Sequence, residues 1–181
     1  MKKQIIISVT KSVWDLAEER DWAGVLNAEA RERYPHYMVG RDGEVWAVKN
    51  ESEPTSWLEE VDEERVHVAL CNAGWLRKRG DKFVSEANEE VELFYEFCSQ
   101  SPYRGHVYYE MITPKQIAGL RDLLRLLVSE HGIRYVYDYS LGAVSPRCLS
   151  GTPGVYLASG LLSGRCDPHP QIELIKMLQK L

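Results

Sequence analysis

Apolar residues along this chain form short runs and alternating stretches that predict β-strands. The first run, IIISVTKS (residues 5–12), predicts a buried strand that delivers a small hydroxyl residue, Ser8, near its end. The segment HYMVGRDGEVWAV (residues 36–48) alternates into a turn and out again, which predicts a β-hairpin. RVHVALCNAGW (residues 65–75) predicts another strand, which a turn at residues 72–74 ends.

The clearest helical pattern is TPKQIAGLRDLLRLLVSEHG, residues 113–132. Thr113 is suited to the N-cap, Pro114 to the first helical position, and Gln116 to the third, where it would complete a capping box. Gly132 stands where a left-handed glycine ends many helices. The helical spacing makes one face apolar, with Ile117, Leu120, Leu124 and Leu127.

Weaker patterns fill the remaining chain. Residues 12–34 have a loosely apolar helical face, and the acidic residues 51–64 are typical of a solvated loop. Residues 133–139 (IRYVYDY) predict a strand, with alternating tyrosines packed in the core or across strands. Residues 147–164 are rich in Gly and Ser but also apolar, which predicts a long loop or an inserted hairpin. Residues 170–181 predict a short amphipathic helix.

Strands that alternate with helices predict an α/β (α+β) fold, with a mixed central β-sheet flanked by helices. The length of 181 residues suits one domain, and no internal repeat or linker divides the chain. We therefore expect a single domain over residues 1–181, with an inserted loop at about 147–164.

Composition narrows the class of partner. The formal net charge of −5 argues against a nucleic-acid-binding protein, which needs a basic face. No apolar stretch approaches the roughly 20 residues that cross a bilayer, so we expect no membrane contact. The four cysteines have no C-x-x-C spacing, and reduced thiols in a cytoplasmic protein are the expectation.

Four pieces of the sequence, in this order, span nearly the whole chain: IIISVTKS, YPHYMVGRDGEVW, VHVALCNAGW and YYEMITPKQIAGLRDLL, the last followed by VSP and GRCDPHP. Together they resemble the zinc-dependent N-acetylmuramoyl-L-alanine amidases, the family that includes phage amidase-lysozymes and the peptidoglycan recognition proteins. The resemblance implies a peptidoglycan-amidase fold with a central substrate groove.

The resemblance also implies where zinc would be held. Such amidases use three protein ligands and an activated water, which attacks an amide carbonyl. Ser8 falls on the first ligand position, which is a histidine in the family. Aligning VSP places Leu141 on the second histidine, and only Asp167 keeps its ligand type. The resemblance therefore implies a degenerate site without zinc or another cofactor.

The family's groove provides candidate ligand-binding positions, listed as His36, Asn72, Trp75, Leu141, Arg165 and Asp167. His36 stands at the mouth of that groove, but it would serve equally well as a hydrogen-bonding residue of the hairpin. Trp75 follows the end of a strand at the expected groove edge. Residues 147–164 would either fold over the groove as a lid, or pack on the sheet edge or in an oligomer contact.

Three hypotheses for function follow. The first is a catalytically inactive, phage-type binding protein that takes a small molecule or wall fragment in the former active-site groove, one use being to sequester a host signal molecule. The second is an active amidase, with zinc on rearranged ligands such as Cys166 and His169, or with a metal-free mechanism that uses Ser8 and His36. The third is an inhibitor of a host protein or a structural subunit.

Overall fold

The computed structural model of the chain describes residues 2–12, 33–58, 63–137, 143–162 and 168–181. Within these residues the strands are β1 (Gln4–Val9), β2 (Tyr37–Val39), β3 (Val45–Ala47), β4 (Arg65–Leu70), β5 (Trp75–Arg79), β6 (Lys82–Val84), β7 (Phe94–Glu96), β8 (Tyr108–Glu110) and β9 (Gly154–Leu157). The helices are α1 (Pro114–His131), α2 (Pro146–Leu149) and α3 (Ile172–Leu178), and a 3-10 turn spans Ala158–Gly160.

The central sheet is mixed and has five strands in the order β3-β2-β4-β1-β9. Four of these strands are parallel to one another: β2, β4, β1 and β9. The fifth, β3, pairs antiparallel with β2 through the predicted hairpin. Every residue of β1 is buried, which explains why its sequence is a continuous apolar run rather than an alternating one. The predicted mixed α/β architecture, with helices flanking a central sheet, is confirmed.

Helices α1 and α3 cover one face of the central sheet. Their buried leucines pack against alternate residues of β1, and this core contains Ile5, Ile7, Val9, Leu120, Leu124, Leu127, Leu174 and Leu178. α1 begins and ends as predicted: the Thr113 hydroxyl accepts a hydrogen bond from the Gln116 amide at 3.0 Å, and Gly132 has φ 61°.

The predicted capping box is wrong in its second hydrogen bond, the one from the Thr113 amide to the Gln116 side chain. The Gln116 side chain does not return to the start of the helix; its amide nitrogen donates to the Val39 carbonyl at 2.9 Å and to the Cys71 carbonyl at 3.1 Å. Val39 is the last residue of β2, and its carbonyl also accepts from the Cys71 amide at 2.9 Å, whereas Cys71 lies just after the end of β4. The Gln116 side chain is fully buried and therefore joins the helix to the sheet.

The sheet edge beyond β1 differs from the prediction. Residues 133–137 form no strand, and their only pairing among the described residues is an isolated bridge between Tyr137 and Val155. Tyr135 and Tyr137 nevertheless pack against the main core, as expected. The other two residues of that predicted strand, 138 and 139, lie outside the described part of the chain.

The sequence predicts residues 147–164 as a long loop or inserted hairpin, either a lid or a segment packed on the sheet edge or in an oligomer contact. The described residues up to 162 form neither a long loop nor a lid. This segment supplies the end of α2 and the whole of β9, which pairs parallel with β1 from Gln4–Gly154 to Ile7–Leu157. Val155, Tyr156 and Leu157 are at most 4% exposed because they form a strand of the central sheet. The segment therefore completes the core instead of covering a groove.

A second sheet lies between β4 and α1 in the chain, where the sequence analysis made no prediction. It has four antiparallel strands in the order β6-β5-β8-β7. Leu76 and Val91 form a small core of its own, with Phe83, Phe94 and Tyr108 packed against it.

Other expectations meet the limits of the described residues. The helix predicted over residues 12–34 falls almost entirely outside them, since residues 13–32 are not described. The acidic segment 51–64 forms turns without helix or extended strand as far as it is described. In the described residues, no helix combines the length and the apolar character needed to cross a bilayer.

Candidate functional site

Ser8 lies near the end of β1, on the face of the sheet away from α1. Its neighbour on that face, Ile6, belongs to a core cluster with Tyr156 and Ala158, with Trp57 packed against the cluster. Ser8 is 2% exposed, and its hydroxyl accepts a hydrogen bond from the Trp57 indole nitrogen at 2.8 Å. The strand therefore places the hydroxyl where the indole N–H of the half-buried Trp57 can donate to it.

The strands on either side of Ser8 contribute no metal ligand beside it. The register with β4 pairs Ser8 with Ala69, and one step beyond the Ile7–Leu157 pair on β9 stands Ala158. Leu141, the predicted counterpart of the second histidine, lies outside the described residues, as do Arg165, Cys166 and Asp167. Elsewhere in the described chain no three His, Cys, Asp or Glu residues form a group that could hold a metal.

His36 is fully buried between the hairpin and β4. Its Nδ1 accepts a hydrogen bond from the His67 amide at 3.0 Å, and its Nε2 lies 3.0 Å from the Glu53 carbonyl, to which it donates. Burial lowers the pKa of His36 to about 4, with repulsion from His67 adding to the effect and the bond to Glu53 opposing it. The ring is neutral at pH 7. A ligand could contact either ring nitrogen only if the hydrogen bond between that nitrogen and the main chain were lost.

Asn72 organises the turn after β4. It is fully buried, and its side-chain oxygen accepts from the Gly74 amide at 2.9 Å, while its nitrogen donates to the Glu110 carbonyl at 3.3 Å. These bonds fix the point at which the chain leaves the central sheet and enters β5. Asn72 therefore links the two sheets.

An ion pair that the sequence analysis missed joins the hairpin turn of the central sheet to β8 of the second sheet. Arg41, in the hairpin turn, donates to both carboxylate oxygens of Glu110, from Nε at 2.5 Å and from Nη2 at 2.9 Å. The Glu110 side chain is 6% exposed and also accepts from the Ala73 amide at 2.5 Å. Two-point pairing of arginine with a carboxylate fixes the orientation of both groups. The R-D-G turn was the only sequence signal for it.

Trp75 belongs to an extended cluster of rings on one face of the second sheet. The register places Trp75, Tyr109 and Tyr95 side by side on β5, β8 and β7. We define the aromatic face as these three rings with three neighbours, Phe97, Tyr103 and His106. Tyr109 is buried at its centre, and the other five rings are half-buried.

Close ring contacts run through the aromatic face. His106 stacks on Trp75 with centroids 4.2 Å apart and planes 10° from parallel. Tyr103 lies 5.7 Å from both Phe97 and Tyr109, and Tyr95 lies 5.0 Å from Phe97. Because the half-buried rings are held by their neighbours, they offer a preformed surface for stacking.

His169 connects this face to the end of the chain. Its ring lies 5.1 Å from Tyr109 and 5.3 Å from Tyr95, and it is 1% exposed. Among the described residues neither of its ring nitrogens has a hydrogen-bond partner. Burial lowers the pKa of His169 to about 4, and the Gln171 side chain opposes this shift. The aromatic face thus extends to His169, which follows the last gap in the described residues.

Sequence reasoning identified Trp75 alone among the rings of this face. The available signal was the density of aromatic residues between positions 94 and 109, with Tyr95 and Phe97 two residues apart. Alternation at that spacing predicts a shared face of a strand. It does not reveal which face remains accessible.

Comparison with known proteins gives a likeness among solved structures. No protein-family model matches the chain, and no curated protein matches it. Among solved structures, the chain is similar to the N-acetylmuramyl-L-alanine amidase AmiD from E. coli, determined in complex with the substrate anhydro-N-acetylmuramic acid-L-Ala-D-gamma-Glu-L-Lys, with a TM-score of 0.47 and 15% identity. The likeness covers 74% of this chain but 45% of that one. At this level it assigns no activity to the chain.

Proposed function

We propose that the chain is a catalytically inactive, amidase-like binding protein that binds a ring-containing small molecule or a wall fragment. The observation that carries the proposal is the bond between Ser8 and Trp57. The hydroxyl at the first ligand position of the resembled family is 2% exposed and accepts from the indole of the half-buried Trp57 at 2.8 Å. In this arrangement Ser8 serves the packing of the core.

Catalysis in the resembled family needs a metal-activated water, and three protein ligands usually hold such a zinc. Serine is a poor substitute for a histidine ligand, and the residues beside Ser8 on β4 and β9 are Ala69 and Ala158. One remaining carboxylate, Asp167, would bind zinc too weakly to lower the pKa of a water. This argument favours binding over hydrolysis.

The aromatic face provides the surface for binding. Half-buried rings stack against the flat faces of sugars, bases and other ring systems, and a base stacked on such a ring gains about 1–3 kcal/mol. His169 is only 1% exposed and lies behind this surface, where its ring packs against Tyr95 and Tyr109. A mostly apolar surface with few polar groups is typical of small-molecule sites.

Calorimetric titration with the muropeptide anhydro-N-acetylmuramyl-L-Ala-D-γ-Glu-L-Lys tests the binding site. We expect Tyr95→Leu to weaken binding at least tenfold, or by about 1.4 kcal/mol, because it removes a ring of the aromatic face. Tyr108→Leu is the matched control, since Tyr108 is a half-buried tyrosine on the opposite face of the same sheet. Equal affinities of the two variants, or no binding by the parent protein, would contradict the proposed site.

Metal analysis and an activity assay test the proposal that the protein has no amidase activity. Protein purified without chelators should contain far less than one zinc per chain and should release no peptide from purified wall fragments. Stoichiometric zinc that disappears in Asp167→Ala, together with amide cleavage, would establish the active amidase instead.

A further inference from the structure

A second surface, unrelated to the aromatic face, is formed by α1 and α3. Between the two helices runs a groove of about 360 Å³. We define the basic groove by six of its residues, listed as Ile117, Arg121, Arg125, Lys176, Met177 and Lys180. Its floor is apolar and its two sides are cationic.

The sequence explains this arrangement. Arg121 and Arg125 are four residues apart on α1, and Lys176 and Lys180 are four apart in the C-terminal segment that includes α3. At this spacing Arg121 and Arg125 share one side of α1, whereas Lys176 lies in α3 and Lys180 stands two residues beyond its end. The leucines of both helices belong to the core under the sheet, and the cationic residues of both segments line the groove.

The positive charge of the groove is largely uncompensated. Among the residues that the structure describes, no Asp or Glu lines it. Arg121 forms an ion pair with its chain neighbour Asp122 at 2.9 Å. Hydrogen bonding to Arg121, with attraction from Arg121 and Arg125, lowers the pKa of the Asp122 carboxyl group. Within the described residues Arg125, Lys176 and Lys180 form no ion pair. In a chain with a net charge of −5, this is a local concentration of positive charge.

We propose that the basic groove is a docking site for an acidic segment of a partner protein, one that also carries apolar side chains. Carboxylates of the segment would pair with the two cationic edges, and an apolar side chain would cover Ile117 and Met177. Such charge complementarity directs encounter and selects partners. A narrow concave groove fits a peptide better than a flat bilayer or the broad phosphate backbone of a duplex, and the overall negative charge disfavours both alternatives.

Fluorescence anisotropy with a labelled 12-residue peptide of alternating glutamate and leucine tests the proposal. The parent protein should bind the peptide, and binding should weaken as salt rises because the contacts are electrostatic. We expect the double variant Lys176→Gln/Lys180→Gln, and separately Arg121→Gln/Arg125→Gln, to lose at least tenfold in affinity. The control is Arg134→Gln/Arg147→Gln, which removes two exposed cations outside the groove and should bind as the parent does.

Four comparison probes distinguish between possible occupants of the groove. A peptide with lysine in place of glutamate should not bind, and an all-glutamate peptide should bind more weakly because it leaves the apolar floor uncovered. No binding of the alternating peptide, or equal loss in the control variant, would overturn the proposal. Tighter, groove-dependent binding of a DNA duplex or of vesicles with anionic lipid would overturn it in favour of those partners. All these variants leave the aromatic face intact, so the result is independent of the muropeptide titration.

Discussion

At the scale of single residues, buried polar side chains hold the loops around the central sheet. His36 and His169 are both inside the protein, but they differ in their partners. His36 gives both ring nitrogens to the main chain, whereas His169 is surrounded by aromatic rings and has no partner in the described residues. Burial keeps both rings neutral, since a charged imidazole would lose its hydration.

These two histidines predict a loss of stability in mild acid. Each has a folded pKa of about 4, against an ordinary value of 6.5. The unfolded chain therefore takes up protons below pH 6.5 while the folded protein does not, so stability is full above pH 6.5 and falls towards pH 4. Between pH 7.5 and pH 5.0 we expect a loss of about 2 kcal/mol per histidine in urea unfolding. His169→Gln should remove about half of the combined loss from the two histidines. Equal stability of the parent protein at the two pH values would contradict the prediction.

At the scale of elements, the hairpin turn and α1 approach each other through two glycines. Gly43 has φ 88°, a left-handed conformation that suits glycine, and a Cβ on it would stand 2.5 Å from the Lys115 carbonyl oxygen. A Cβ on Gly119 in α1 would stand 2.2 Å from the carbonyl oxygen of Gly43. The Thr113 hydroxyl also donates to the Arg41 carbonyl, which ties the helix start to the same turn.

This contact reverses the usual effect of replacing glycine in a helix. In an isolated helix, Gly119→Ala would stabilise by about 1 kcal/mol. Here the new methyl group would meet backbone that cannot move aside alone, and we expect a loss of about 1–3 kcal/mol in chemical unfolding. Ser129→Ala, on the exposed side of the same helix, should change stability by no more than about 0.5 kcal/mol. A gain in stability from Gly119→Ala would show that the turn is not packed on the helix.

At the scale of the whole molecule, segments distant in the chain complete the central sheet. β1 lies between β4 and β9, although about 150 residues separate β9 from β1 in sequence. Tyr156 of β9 is 1% exposed and packs with Ile6 in the core cluster on the Ser8 side of the sheet. The Gln4 side chain donates to the Cys148 and Thr152 carbonyls at 2.9 Å, which fastens the start of β1 to the chain before β9.

Removing this part of the chain should therefore unfold the protein. Replacing residues 150–161 with a short Gly-Ser bridge deletes β9 and exposes one side of β1, so we expect cooperative thermal unfolding to disappear. Leu149→Ser changes a 57% exposed residue next to the same segment and should leave the transition within a few degrees of the parent. A cooperative transition in the deletion variant would restore the interpretation of this segment as a lid.

Local chemistry allowed the sequence by itself to determine β1, the hairpin of β2 and β3, β4 and the limits of α1, because caps, turns and apolar periodicity act within a few residues. Only the tertiary structure decided that residues 154–157 pair with β1 while residues 133–137 form no strand, since both segments are short and apolar and the difference lies in their partner. Long-range partners also decided the roles of Ser8, whose bond to Trp57 crosses 49 positions, and of Gln116, whose amide reaches the sheet instead of the helix cap. The aromatic face depends on pairing among β5, β7 and β8, because strand register determines which rings share a face.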